Sequence, residues 1–130
     1  MVERKILVVD DEKDVTEFVT AILEGEGTTI ICAADGEEGL KAAKNEQPDL
    51  IILDVQMPKK DGFAVFHELR QSEATKQIPV IMLTGIREKS GIGFSKSDMG
   101  EFFGQEPNAY IEKPFDRDTL TTTVEKVLSQ

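Results

Sequence analysis

The chain has 130 residues and a mass of 14.4 kDa, the size of one domain able to build a single hydrophobic core. At 39% hydrophobic and 31% charged it has an ordinary globular composition, against disorder, and its apolar runs are far too short to span a bilayer. The 25 acidic residues outnumber the 15 basic ones for a net charge of −10, a field that repels phosphate backbones and anionic lipid and so disfavours direct nucleic-acid or membrane partners. One cysteine, Cys32, allows neither an internal disulfide nor a cysteine-based zinc site. Met1-Val2-Glu3-Arg4-Lys5 lacks the layout of a signal peptide. The expectation is a small, acidic, cytoplasmic domain.

In chain order, Ile6-Leu7-Val8-Val9 is a short continuous apolar run, the mark of a strand buried on both faces. Val15, Phe18, Val19, Ile22 and Leu23 then fall at helical spacing, with Asp14 and Glu17 as a capping box and Gly25 or Gly27 as the stop. A second strand is predicted over 29–33 and a weaker helix over 37–45, lowered by Gly39. Leu50-Ile51-Ile52-Leu53 is the third strand, and Phe63, Phe66 and Leu69 mark a helix over 62–71. Val80-Ile81-Met82-Leu83 is the fourth strand, entered after Pro79. The stretch 85–104 holds five of the ten glycines and a short helix around Met99, Phe102 and Phe103. Ala109-Tyr110-Ile111 is a brief fifth strand. A last helix over 118–128 carries Leu120, Val124, Val127 and Leu128 on one face, capped by Asp116 or Asp118. Five strands alternating with helices give an α/β fold with helices on both faces of a parallel sheet. Right-handed crossovers make the flavodoxin-like doubly wound sheet, order 2-1-3-4-5, the leading topology. The chain reads as one domain over 1–130, without linker or output domain.

Ligands of such sheets bind at the carboxyl ends of the strands. The first strand runs into Asp10 and Asp11, the third into Asp54, the fourth into Thr84, and the fifth, after Glu112, into Lys113. Three carboxylates, a hydroxyl and an ammonium therefore converge on one edge. Two unit charges about 4 Å apart repel by about 4 kcal/mol at an effective dielectric near 20. The acids must take up protons, spread apart or hold a cation. So small an oxygen set suits Mg²⁺ shared with a phosphate, Lys113 supplies a point charge and Thr84 a donor. The chemistry is that of a metal-assisted phosphoryl acceptor with a carboxylate nucleophile.

The order Asp10-Asp11, Asp54, Thr84 and Lys113-Pro114-Phe115, with Met57-Pro58 and Asp61-Gly62 after the central aspartate, resembles the receiver domain of two-component response regulators over essentially the whole chain. The resemblance implies that Asp54 is phosphorylated by a histidine kinase or phosphotransfer protein. It implies Mg²⁺ on Asp10, Asp11, Asp54 and the backbone carbonyl of Gln56, with Thr84 and Lys113 on the phosphoryl group. Thr84 and Tyr110 become a switch pair, the Lys113-Pro114 bond is cis, and a downstream protein docks on the 85–113 face. Two departures stand out: the interval from Thr84 to Lys113 is longer than usual, and Pro107-Asn108-Ala109 replaces a common Gly-Ala.

Plainer readings compete. Asp10 and Asp11 suit the start of a helix as solvated acids, and Thr84 and Lys113 taken singly are surface residues; only their joint placement lifts them. Tyr110 reads equally as packing, Cys32, Phe102 and Phe103 as packing, and His67 as an exposed helix residue. A calcium loop starting at Asp54 fails, because Pro58 and Lys59 stand where an oxygen ligand and glycine are needed. The functional expectation is a phosphorylation-activated switch that catalyses only its own phosphorylation and dephosphorylation. The alternatives are a relay carrier or phosphate sink, an aspartyl-phosphate phosphatase, and a constitutive binding module.

Overall fold

The computed structural model describes residues 3–25, 27–57, 60–85 and 107–129. Five strands, β1 (Arg4–Val9), β2 (Thr28–Ala33), β3 (Leu50–Asp54), β4 (Val80–Thr84) and β5 (Ala109–Glu112), form one sheet in the order β2-β1-β3-β4-β5. All four pairings are parallel. Four helices are described: α1 (Lys13–Leu23), α2 (Gly36–Glu46), α3 (Gly62–Gln71) and, in the last position, α4 (Arg117–Leu128). This is the doubly wound sheet that the alternation of apolar runs and helical stripes predicts.

The central strands carry unbroken apolar runs, over 6–9, 50–53 and 80–83, because both faces are covered there. Leu7, Val9, Ile51, Leu53, Val80 and Met82 pack under Leu40 and Ala43 of α2 and Val65, Phe66 and Leu69 of α3. The alternate residues Ile6, Val8, Leu50, Ile52, Ile81 and Leu83 pack under Val19 of α1 and Leu120, Val124 and Val127 of α4. Gly39, which weakens the sequence signal for α2, is explained by packing: a Cβ there would meet both Val9 methyls at 2.9 Å.

Aspartates start three of the helices. Asp35 accepts from Glu38 N–H, Asp61 from Ala64 N–H and Asp116 from Thr119 N–H, at 2.9, 2.9 and 2.8 Å. The expected Asp14–Glu17 capping box is not formed. α1 begins one residue before Asp14, and its N-cap, Glu12, makes no side-chain cap bond. The helix stops at Leu23, and Gly27 takes a positive φ of 77° in the turn to β2. Cys32 also departs from expectation: it is exposed, because β2 is an edge strand, although Thr20 of α1 stands 3.7 Å from its sulfur. The Lys113-Pro114 peptide is cis. The expected helix around Met99, Phe102 and Phe103 lies outside the described residues. Among the described residues no helix is long and apolar enough to cross a membrane.

Candidate functional site

The ladder delivers Asp54, Thr84 and Lys113 to one edge. β3 runs one residue past its apolar core, so that Asp54 pairs with Leu83, and β4 does the same, so that Thr84 pairs with Glu112. Asp10 follows β1, its N–H bonded to Ala33 O at 3.1 Å, and its Oδ1 accepts from Glu12 N–H at 2.9 Å. Lys113 follows β5, its backbone N–H donating to Thr84 O at 2.6 Å. Asp10 and Asp54 are each only 2% exposed and Thr84 7%, whereas Asp11 lies on the surface. Carboxylate oxygens of Asp10, Asp11 and Asp54 lie within 4.8 Å of one another.

Lys113 ties this set together. Its Nζ is 2.9 Å from Asp54 Oδ1, 3.0 Å from Asp10 Oδ2 and 3.3 Å from Glu12 Oε1. Burial pushes the Asp54 carboxyl up to about 7; Lys113 opposes that shift, and the neighbouring charges of Asp10 and Asp11 add to it. Burial likewise raises Asp10, against its bonds from Glu12 N–H and Lys113. Burial alone would lower Lys113, but its bonds to Asp54 and Asp10 outweigh it and hold the ammonium above the ordinary lysine value. One cation thus serves two buried acids with a third acid beside them. The deficit of positive charge and the all-oxygen donor set fit a small hard cation.

An open cleft of about 420 Å³ lined by Asp11, Gln56, Met57 and Asp61 adjoins the acids. Tyr110 is half-buried and packs against the core on the α2–α3 face. It pairs with Met82, one side-chain repeat before Thr84, so Tyr110 and Thr84 share a face of the sheet. On the other side of Lys113, a groove of about 580 Å³ is lined chiefly by Val15, Phe18, Pro114 and Phe115. The Phe18 and Phe115 rings stand 5.7 Å apart at 55°, and Phe18 is 42% exposed.

The model of the response regulator receiver domain matches residues 6–125. The chain belongs to that family. This receiver is 41% identical over 125 residues to the alkaline phosphatase synthesis transcriptional regulatory protein PhoP of Bacillus subtilis, covering 96% of this chain and 48% of that protein. It is 38% identical over 126 residues to the transcriptional regulatory protein CpxR of Escherichia coli, covering 95% and 49%. The chain therefore spans about half the length of the curated relatives it matches. Among solved structures, a putative response regulator from Chloroflexus aurantiacus superposes with a TM-score of 0.83 at 34% identity, covering 98% of this chain and 99% of that one. The chemotaxis protein CheY4 of Vibrio cholerae gives 0.81 at 32% identity, covering 97% and 99%.

Apart from Tyr110, the site residues expected from the sequence lie at one edge of this receiver. Asp10, Asp54 and Lys113 are in direct contact, Asp11 is beside them, and Gln56 is across the cleft. Tyr110 sits apart, on the neighbouring strand. His67 is exposed on α3. The residue that sequence reasoning missed is Glu12, the third carboxylate on Lys113. Its only signal is that it directly follows the acid pair, and a glutamate at a helix start ordinarily answers to the helix dipole.

Proposed function

We propose that this receiver is a phosphorylation-controlled switch in which Asp54 takes a phosphoryl group from a phosphorylated histidine of a histidine kinase or phosphotransfer protein. A carboxylate oxygen of Asp54 forms the new O–P bond while the P–N bond of the phosphohistidine breaks, its electron pair returning to the imidazole nitrogen. The observation that carries this reading is the 2.9 Å contact between Lys113 Nζ and Asp54 Oδ1 in a pocket of three carboxylates. Lys113 is the fixed charge for a phosphoryl oxygen, and Thr84 is a hydroxyl donor at the end of the adjacent strand.

Asp10, Asp11, Asp54 and the backbone carbonyl of Gln56 would hold Mg²⁺. When bound, such a cation offsets the roughly −1.5 to −2 charges that phosphorylation adds. The groove beside Lys113 gives the donor protein an apolar footing next to the acceptor. The chain turns over no external substrate and catalyses only its own phosphorylation and dephosphorylation. Its output passes through protein contacts on the 85–113 face, with Thr84 drawn to the phosphoryl group and Tyr110 turning in response. A cytoplasmic location and no direct contact with nucleic acid belong to this reading, the latter supported by the net charge of −10.

The test is incubation with a phosphorylated histidine kinase, with Mg²⁺ and with chelator. Label is expected on Asp54, dependent on Mg²⁺ and slowed in Asp11→Ala. Equal rates in chelator, or undiminished label in Asp54→Asn, overturn the assignment.

A further inference from the structure

We infer that Glu12 is a positioning residue that competes with the incoming phosphoryl group for the Lys113 ammonium and so restrains phosphoryl uptake; the inference rests on the reading of Asp54 as acceptor. An ammonium carries three donors, and three carboxylates stand round that of Lys113: Asp54 at 2.9 Å, Asp10 at 3.0 Å and Glu12 at 3.3 Å. The three are not equivalent. The side chains of Asp54 and Asp10 are 4% and 0% exposed, whereas that of Glu12 is 63% exposed. Glu12 makes no cap bond to its own helix, although its N–H is held by Asp10 Oδ1 at 2.9 Å. Its backbone is therefore pinned at the pocket while its carboxylate reaches across to Lys113.

Glu12 also lines the groove beside Lys113 with Gly85, Pro114 and Phe115, on the open side of the ammonium. A phosphoryl group on Asp54 carries its oxygens beyond the carboxylate, and Lys113 must trade one carboxylate for a phosphoryl oxygen. The bond to buried Asp10 is costly to break, because it would leave a buried charge unpaired, and Asp54 carries the phosphoryl group itself and so stays beside the ammonium. The bond to Glu12 costs least, since water replaces it. Glu12 is thus the contact that yields, and its strength sets how readily Lys113 is released to the phosphoryl group.

The test is Glu12→Gln, which keeps length and an acceptor oxygen but removes the charge. Uptake is read with acetyl phosphate and Mg²⁺ by intact-protein mass spectrometry, the label being located by peptide mapping. In parallel, the ammonium signal of Lys113 is followed by NMR in the metal-free protein carrying ¹⁵Nζ-lysine, assigned with Lys113→Arg. Glu12→Gln is expected to speed uptake about 2- to 5-fold, the range set by release of one exposed ion pair, and to shift the Lys113 signal. Glu12→Asp should fall between. An unchanged rate with label still on Asp54 overturns the role of Glu12, and so does faster uptake with an unmoved Lys113 signal, which would mean simple charge repulsion. Wild-type protein that takes no label on Asp54 overturns the acceptor reading itself, and this inference with it.

Discussion

Gly62 lies directly against the backbone of Asp54. Its N–H donates to Val55 O at 2.7 Å, and a Cβ on Gly62 would run into the Asp54 carbonyl oxygen and stand 2.8 Å from Val55 Cα. The start of α3 is thus fitted to the end of β3 with no room for a methyl group. Both sides of the contact are backbone, so no side-chain rotation relieves it. Gly62→Ala is expected to destabilise the fold by about 1–3 kcal/mol, as overpacking does, and to slow phosphoryl uptake because Asp54 must move. Urea unfolding and uptake kinetics check this; an unchanged midpoint would show that the close approach is not a constraint.

Asp54 should make stability depend on pH in the metal-free protein. Its carboxyl is pushed up to about 7 by burial, from about 3.9 in the unfolded chain. The native state therefore holds the proton more tightly, and this contribution is full below about pH 4 and lost as pH rises towards 7. Asp54→Asn has no such titration. The variant should gain on the wild type between pH 4 and pH 8, by on the order of 2–4 kcal/mol. Urea unfolding of both proteins in chelator at several pH values measures the difference. A difference that does not change with pH would contradict the buried, proton-holding carboxyl.

Much of this was legible in the sequence, and the misses share a physical reason. Regular alternation placed five strands and the helices, and α3 matches its predicted bounds because Gly62 and its apolar spacing mark them. Asp54 and Thr84 look like residues beyond a strand, yet the ladder carries both inside it, since backbone pairing is indifferent to side-chain polarity. Cys32 reads as core in an apolar run, but position at the sheet edge is a property of the assembled order and not of the run. Glu12 was invisible as a partner of Lys113 because 101 residues separate them. Only the fold brings them together.

Phe18 allows docking and chemistry to be separated. It is the one exposed large hydrophobic among the described residues, at 42%, and it stands beside Phe115 in the groove next to Lys113. A donor protein that reaches Asp54 from that side must cover it. Phe18→Asp should slow transfer from a phosphorylated protein donor by about tenfold, the scale of an interface anchor. Uptake from acetyl phosphate, which needs no footing, should change by no more than about twofold. Rapid-quench measurements with the two donors decide it, and equal losses with both would place Phe18 in the fold rather than in the interface.

Asn108 shows what the departure at Pro107-Asn108-Ala109 does. Its N–H donates to Val80 O at 2.9 Å and its Oδ1 accepts from Val80 N–H at 3.0 Å, so one residue closes both backbone groups of the first position of β4. The same oxygen faces Arg70 Nη2 at 3.4 Å, while Arg70 Nη1 donates to Ile78 O at 2.8 Å and the guanidinium stands 4.8 Å over the Phe66 ring. α3, β4 and β5 are thereby joined two residues before Tyr110. The other end of β5 is held separately, by the Lys113 N–H on Thr84 O. Asn108→Ala strips Val80 N–H of its acceptor and should cost about 1–3 kcal/mol, the penalty of a buried donor left unpaired. Amide exchange should quicken at Val80 and through Ala109–Glu112, the strand that carries Tyr110. Uptake on Asp54 should stay within about twofold, because the damage is at the far end of the sheet from the acid pocket. A variant that loses uptake in step with stability would mean that β5 transmits the strain to Lys113, and that the two ends of the strand are not independent.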